Sequence, residues 1–278
     1  MRRLLLVAAT VLLAACASNP SSPPPVAQAE PAAGDAPPAT AAPSTDDGLE
    51  TKGGPVANGN QNYARMRVFY ATDRRPASDF ATADQSDKYT GDRGPMAYGQ
   101  AFVSIPRGHV AGELEAPSIF RLEFREDPEK HVVLLQTTPQ SKDAFVKSLR
   151  ARVAASKGKN AFIFVHGYNV AFADAARRTA QLSYDLSFDG APIFFSWPSQ
   201  ASLQGYTVDE ANIEWATSHI KQFIADSADQ SGADNLYLVG HSMGNRGLTR
   251  ALASLVLERP DLQAHGRLRD AEALGRLR

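Results

Sequence analysis

An α/β fold, with antiparallel N-terminal strands leading into a parallel strand–helix alternation, is what the sequence predicts. Three observations carry that expectation. Between residues 141 and 256, short apolar runs alternate with stretches whose apolar residues recur at helical spacing. Between residues 63 and 135, four strand-like segments follow one another with no helical pattern between them. Finally, Leu236-Tyr237-Leu238-Val239 runs into Gly240-His241-Ser242-Met243-Gly244 and then into a further helical pattern. That is a strand, a tight turn with a central serine, and a helix.

The chain has 278 residues, a formal net charge of -1 and 43% hydrophobic residues. This balance lacks the basic excess that nucleic-acid binding calls for. Arg2 and Arg3 precede an apolar run over residues 4–15. The run is too short to span a bilayer and has the layout of a secretory signal peptide. It ends in Leu13-Ala14-Ala15-Cys16, which resembles the bacterial lipobox, and Cys16 is the only cysteine in the chain. The resemblance implies removal of residues 1–15 and lipidation of Cys16, hence a membrane partner through the acyl chains. Ala17 stands where an Asp would imply retention at the inner membrane. The expected location is therefore the outer membrane, facing the periplasm. Residues 16–62 then read as the lipidated cysteine and a Pro/Ala-rich disordered tether, too poor in large apolar residues to offset its ordering entropy.

The globular part is expected over residues 63–258. Met66, Val68 and Tyr70 alternate with Arg67, Phe69 and Ala71, a strand pattern. Residues 73–99 are polar and glycine-containing and read as a long surface loop. Ala101–Ile105 forms a second strand stopped by Pro106, and residues 119–124 and 131–135 are two more candidates. Ser141 is placed to cap a helix marked by Phe145, Leu149 and Val153. Ala161-Phe162-Ile163-Phe164-Val165 reads as a central parallel strand. It leads into His166-Gly167-Tyr168-Asn169 and a helix with Phe172, Ala175, Ala176, Thr179, Leu182 and Leu186 on one face. Residues 192–195 form the next strand, followed by Ser196-Trp197-Pro198-Ser199 and a helix carrying Ile213, Ala216, Ile220, Phe223 and Ile224. Ligands of such sheets bind at the C-terminal strand ends, where His166, Ser196 and Ser242 are all expected.

The residue types around Ser242 fit a nucleophile on a sharp turn. Its neighbours two positions away come too close for side chains, hence Gly240 and Gly244. The Met243 N–H, at the helix start, can face a developing oxyanion with help from the helix dipole. His166-Gly167 ends a central strand upstream, where a second oxyanion donor belongs; the candidate is the Tyr168 N–H. Trp197 and Tyr206 are candidates for walling an acyl pocket, although loop aromatics are more often packing residues. No His/Cys/Asp cluster has metal-ligand spacing, and no glycine loop is built to cradle phosphate, so no metal or cofactor is expected.

Together these motifs resemble the α/β-hydrolase superfamily, and within it a bacterial domain family of uncharacterised function. The matching pieces are Val68-Phe69-Tyr70-Ala71-Thr72-Asp73-Arg74, Tyr98 to Arg107, Phe164 to Asn169, Phe195 to Ser199, Tyr206, Asp209 and Asn212 at their spacing, and Gly240 to Arg246. The resemblance implies a hydrolase of esters or related acyl bonds with Ser242 as nucleophile. It assigns no substrate and no role to Tyr206, Asp209 or Asn212. In this superfamily an acid and a histidine follow the serine in sequence. Here the only histidine that follows is His265, four residues after Asp261, in a 20-residue tail (259–278) with no strand-like run. His109 and His131 read as structural or surface residues, His166 as part of its turn, His219 as a solvated helix residue, and His241 as pointing away from its neighbour's hydroxyl. The acid and base are thus unassigned. The sheet is expected to stop after the nucleophile helix, as in a C-terminally truncated or frame-shifted form of a longer hydrolase. A lipid-anchored serine hydrolase is the leading expectation. A non-catalytic lipoprotein that keeps the fold as a binding module is the alternative.

Overall fold

In the computed structural model of the chain, the described residues are 62–117, 123, 125–259 and the backbone of 268–269. They belong to the second of two compact units, Ala39–Arg278. The expected signal, Cys16 and tether segments, the strand at residues 119–124 apart from Glu123, and the Asp261–His265 pair lie outside the described residues.

One mixed sheet organises the domain. In chain order its strands are β1 (Tyr63–Pro76), β2 (Tyr89–Pro106), β3 (Leu134–Gln140), β4 (Asn160–Val165), β5 (Gly190–Ser196), β6 (Asn235–Gly240) and β7 (Leu268–Arg269). Their spatial order is β3-β2-β1-β5-β4-β6-β7. β1, β2 and β3 pair antiparallel, and every pairing from β1 to β5 onward is parallel. The helices are α1 (Lys142–Ala154), α2 (Phe172–Asp185), α3 (Tyr206–Gln230) and α4 (Met243–Glu258). The expected α/β architecture, antiparallel first and parallel afterwards, is the one observed.

Period-two alternation sorts the strand side chains onto two faces. Phe69, Ala71, Ile163, Val165, Ile193 and Phe195 pack with residues of α1, α3 and α4. Val68, Tyr70, Phe162, Phe164 and Phe194 pack with residues of α2. All six residues of β4 are buried, because helices cover both faces of this central strand. Helix starts follow local chemistry. The Ser141 hydroxyl accepts the Ala144 N–H at 3.3 Å to cap α1, and the Asp174 carboxylate accepts the Ala171 N–H at 3.3 Å at the start of α2.

Three expectations are corrected. Much of residues 73–99 is not loop: β1 runs on to Pro76 and β2 starts at Tyr89, with Arg74 opposite Arg93 and Pro76 opposite Tyr89. Backbone ladder bonds need no apolar alternation, so polar residues such as Thr90-Gly91-Asp92-Arg93 extend the hairpin unseen. The strand expected at residues 131–135 begins instead at Leu134 and runs to Gln140. The tail, expected to hold no strand, adds the two-residue β7, whose Leu268 and Arg269 sit opposite Leu236 and Tyr237.

One polar clamp ties the loop after β2 to the end of α2. His109 donates from Nδ1 to Glu115 at 2.8 Å and from Nε2 to Asp185 at 2.7 Å, with its side chain only 3% exposed. Two carboxylates on one imidazole require both ring nitrogens to carry protons. Burial alone would lower the His109 pKa, but the bonds and charges of Glu115 and Asp185 outweigh it and raise it. A histidine with a raised folded pKa stabilises fully below its unfolded value, near 6.5, and the contribution is lost as pH rises through the folded value. His109→Gln should therefore cost about 1–2 kcal/mol at pH 6, with the deficit shrinking in alkaline melts. A deficit independent of pH would mean the imidazole is neutral.

Candidate active site

Parallel register fixes which residues share the C-terminal edge of the sheet. Val165 sits opposite both Phe195 and Gly240, and Thr72 sits opposite Ser196. The loops after β1, β5, β4 and β6 therefore meet at that edge, where ligands of such sheets bind.

Ser242 is the residue between β6 and α4, with φ 49° and ψ -122°. This is a left-handed backbone for a non-glycine residue, a conformation that costs of order 1–3 kcal/mol and persists only where neighbours impose it. Neighbours do so here. The His241 N–H donates to the Val165 carbonyl at 3.0 Å, tying the turn to the end of β4. A methyl on Gly244 would collide with the carbonyl oxygens of His166 and Val165, so the first turn of α4 lies directly on that strand end. A methyl on Gly167 would lie 2.9 Å from Ser242 Cβ and 2.7 Å from His241 Nδ1. The His-Gly loop and the serine turn are thus in contact, which requires glycine on both sides.

The serine hydroxyl is exposed, and no hydrogen-bond partner for it exists among the described residues. The N–H groups of Tyr168 and Met243 likewise donate to no acceptor among the described residues. Met243 is the first residue of α4, where an unpaired N–H is expected and the helix dipole is positive.

The loops around the serine are held by a buried polar network whose members the sequence left without roles. Arg74, 1% exposed, lies at the end of β1. Its guanidinium donates to Ser196 Oγ at 2.8 Å and to the carbonyls of Ser199 at 2.9 Å, Thr90 at 3.1 Å and Val170 at 2.7 Å. Burial lowers its pKa to about 10, against the pull of Asp73, Asp209 and Asp174. Asp209, fully buried at the start of α3, accepts from Ser199 Oγ at 2.5 Å, the Gln200 N–H at 2.7 Å and the Asn169 N–H at 3.3 Å. Asn212, one turn on, donates to the Pro198 carbonyl at 2.5 Å and accepts from Arg93 Nε at 2.8 Å. Asn169 itself has φ 56°, a conformation asparagine tolerates better than most residues. Asp209 thus joins the loop after β4 to the loop after β5, and Asn212 joins the latter to β2.

Two histidines near this edge, His166 and His219, are engaged with partners other than Ser242. His166 is buried. Its Nδ1 donates to the Gly167 carbonyl at 2.9 Å, and its Nε2 accepts from Ser196 Oγ at 3.2 Å. Burial first, and then the charge of Arg74, hold its pKa well below the usual imidazole range, so it is neutral. Trp197 stacks on it at 5.0 Å and donates from Nε1 to its carbonyl at 2.7 Å. With no exposed surface, Trp197 is a packing residue and not a pocket wall. His219, expected to be solvated, donates from Nδ1 to the fully buried Asp73 at 2.9 Å, because the end of β1 reaches under α3. Burial raises the Asp73 pKa, with His219 partly offsetting it. No group of three or more His, Cys, Asp or Glu side chains among the described residues is placed to hold a metal.

A strained serine between a parallel strand and a helix, with a His-Gly loop packed against it at the sheet's C-terminal edge, defines the α/β-hydrolase class. Residues 141–269 match the model of a family described as alpha/beta hydrolase of unknown function (DUF900). Over that span, from the cap of α1 into β7, the chain is similar to that family and its sheet is α/β-hydrolase-like, and the earlier motifs at residues 68–74 and 98–107 precede the matched span. No curated protein and no solved structure matched the chain.

Proposed function

We propose that the chain is an envelope-anchored serine hydrolase of ester or related acyl bonds. The carrying observation is Ser242 at φ 49°, exposed, on the N-terminus of α4 and in contact with Gly167. Its Oγ attacks the acyl carbonyl carbon, and the alcohol departs with the serine proton. Water then cleaves the acyl-enzyme, releasing the acid and restoring the hydroxyl. The unpaired N–H groups of Tyr168 and Met243 support the oxyanion reading, each such donor typically worth about 3 kcal/mol to the transition state. Envelope anchoring is supported by Leu13-Ala14-Ala15-Cys16 after a short apolar run. No helix among the described residues is long and apolar enough to cross a membrane.

A second reading is favoured by one observation: no described side chain contacts the Ser242 hydroxyl as a base. On that reading the chain is a non-catalytic lipoprotein that uses the hydrolase fold to bind a ligand. A fluorophosphonate probe applied to fractionated cells decides between them. The expected result is a labelled band in the membrane fraction, absent in Ser242→Ala and shifted to the soluble fraction in Cys16→Ser. A folded protein that takes no label supports the binding module instead. Labelling that survives Ser242→Ala excludes the proposed nucleophile.

A further inference from the structure

The loop after β5 and the first turn of α3 carry an uncharged, apolar surface beside the serine turn. From Pro198 to Val208 there is no charged residue. Leu203 is 69% exposed, Tyr206 48% and Val208 47%, half of the six large apolar side chains that are exposed among the described residues. Single exposed apolar residues are ordinary, but several in one short segment mark a contact site. This segment reaches the nucleophile through consecutive contacts. The Tyr206 ring meets the Tyr168 ring edge-on at 5.2 Å, and the Tyr168 hydroxyl donates to the Leu203 carbonyl. Tyr168 directly follows Gly167, whose α-carbon abuts Ser242.

The loop also has anchors other than the Leu203 and Tyr206 side chains. Its backbone is fixed by Asp209 and Asn212, and by Ser202, whose hydroxyl accepts the Gly205 N–H at 3.1 Å. Asp209 is fully buried beneath the loop, and the exposed Glu210 on the same turn of α3 pairs with Arg246 at 2.8 Å. An anionic acyl group would therefore find no free cation from this pair, whereas a hydrocarbon chain finds a rigid apolar wall.

We propose that Leu203, Tyr206 and the Tyr168 ring form the acyl subsite, so that the preferred substrate carries an uncharged aliphatic acyl chain rather than an acetyl or an anionic acyl group. This rests on Ser242 as the nucleophile. The test is the rate of labelling of the full chain by alkyl phosphonofluoridates, in which Oγ bonds to phosphorus and fluoride departs. Methyl, butyl and octyl chains are compared. Each methylene buried on the wall is expected to raise the rate about threefold to fourfold until the wall is covered. In the Leu203→Ser, Tyr206→Ser double variant, whose changes are at exposed positions, the octyl-to-methyl ratio is expected to fall close to one. A flat series in the unaltered protein, or a ratio unchanged in the double variant, overturns the subsite. If no probe labels at all, the nucleophile reading fails, and the wall is tested separately by calorimetric binding of decanol to the Ser242→Ala protein. Binding lost in the double variant supports the wall, and no binding overturns it. A flat chain-length series together with phospholipid-vesicle binding that requires Leu203 and Tyr206 would assign the patch to membrane contact and overturn the proposal.

Discussion

Gly244→Ala is expected to destabilise the domain by about 2–4 kcal/mol and to slow probe labelling of Ser242 by about 100-fold. Helix propensity alone predicts the opposite sign, because alanine exceeds glycine in a helix interior by roughly 1 kcal/mol. Sterics decide. A methyl at this position would fall inside the contact distance of two carbonyl oxygens, those of Val165 and His166, and 2.9 Å from the His166 carbonyl carbon. All three are backbone atoms at the end of β4, whose residues are buried on every side. To make room, either α4 lifts or the His166–Tyr168 loop moves, and both separate the serine from the Tyr168 N–H. Gly247→Ala is the matched control. There the added methyl meets Ile213 Cδ1 at 2.6 Å, Ile213 Cγ1 at 2.9 Å and Ile220 Cδ1 at 3.2 Å, side-chain atoms of two isoleucines whose tips can rotate, and no backbone atom. Rotation of those tips and the propensity gain should keep this variant within about 1 kcal/mol of the parent, with labelling retained. Urea denaturation and labelling rates for the pair check the argument. Equal behaviour of the two variants would mean that the contact of α4 with β4 is not what positions the serine.

The parts of this fold that were legible in the sequence are those where burial acts on a regular period. Phe162 and Phe164 face α2 while Ile163 and Val165 face the other layer, so a strand covered on both sides reads as an unbroken apolar run. Ile213, Ala216, Ile220, Phe223 and Ile224 are all buried, so α3 was readable from its spacing. The hairpin extension was not, since Arg74 opposite Arg93 is held by main-chain bonds that leave no trace in side-chain character. The serine turn was legible because sharp turns admit few residue types. Its supporting network was only half so. Asp209 and Asn212 continue the buried stripe of α3, four residues before Ile213 and Ala216. A carboxylate and an amide on an apolar stripe signal buried polar work, although not which loops they hold. Arg74 was legible only as the last residue of the Val68–Arg74 motif; its burial was not, because an arginine in a polar stretch reads as a solvated charge until the chain folds over it.

Burial of Arg74 leads to the second large expected effect. Arg74→Met should cost about 3–5 kcal/mol in urea denaturation, despite replacing a charge with a side chain suited to an apolar interior. Removing a buried charge is favourable by itself, and the pKa lowered to about 10 records what burial costs that charge. The loss comes from the acceptors left behind. The carbonyls of Ser199, Thr90 and Val170 and the Ser196 hydroxyl all receive N–H groups from one planar guanidinium. Each buried acceptor stripped of its donor costs about 1–3 kcal/mol unless water reaches it. Arg74→Lys keeps the charge but offers three donors from a single point, which cannot address acceptors spread over β2 and two loops. It should fall between the two, at about 2 kcal/mol. The same geometry separates positioning from bulk stability. Ser196 ends β5, Ser199 belongs to the loop after it that carries Leu203, and Val170 closes the loop that carries Tyr168. In folded Arg74→Lys protein, labelling of Ser242 should therefore slow by more than tenfold. The His109→Gln variant, destabilised by a similar amount through a clamp on the far end of α2, should label at the parental rate. Equal labelling of the two folded variants would reduce Arg74 to a packing residue.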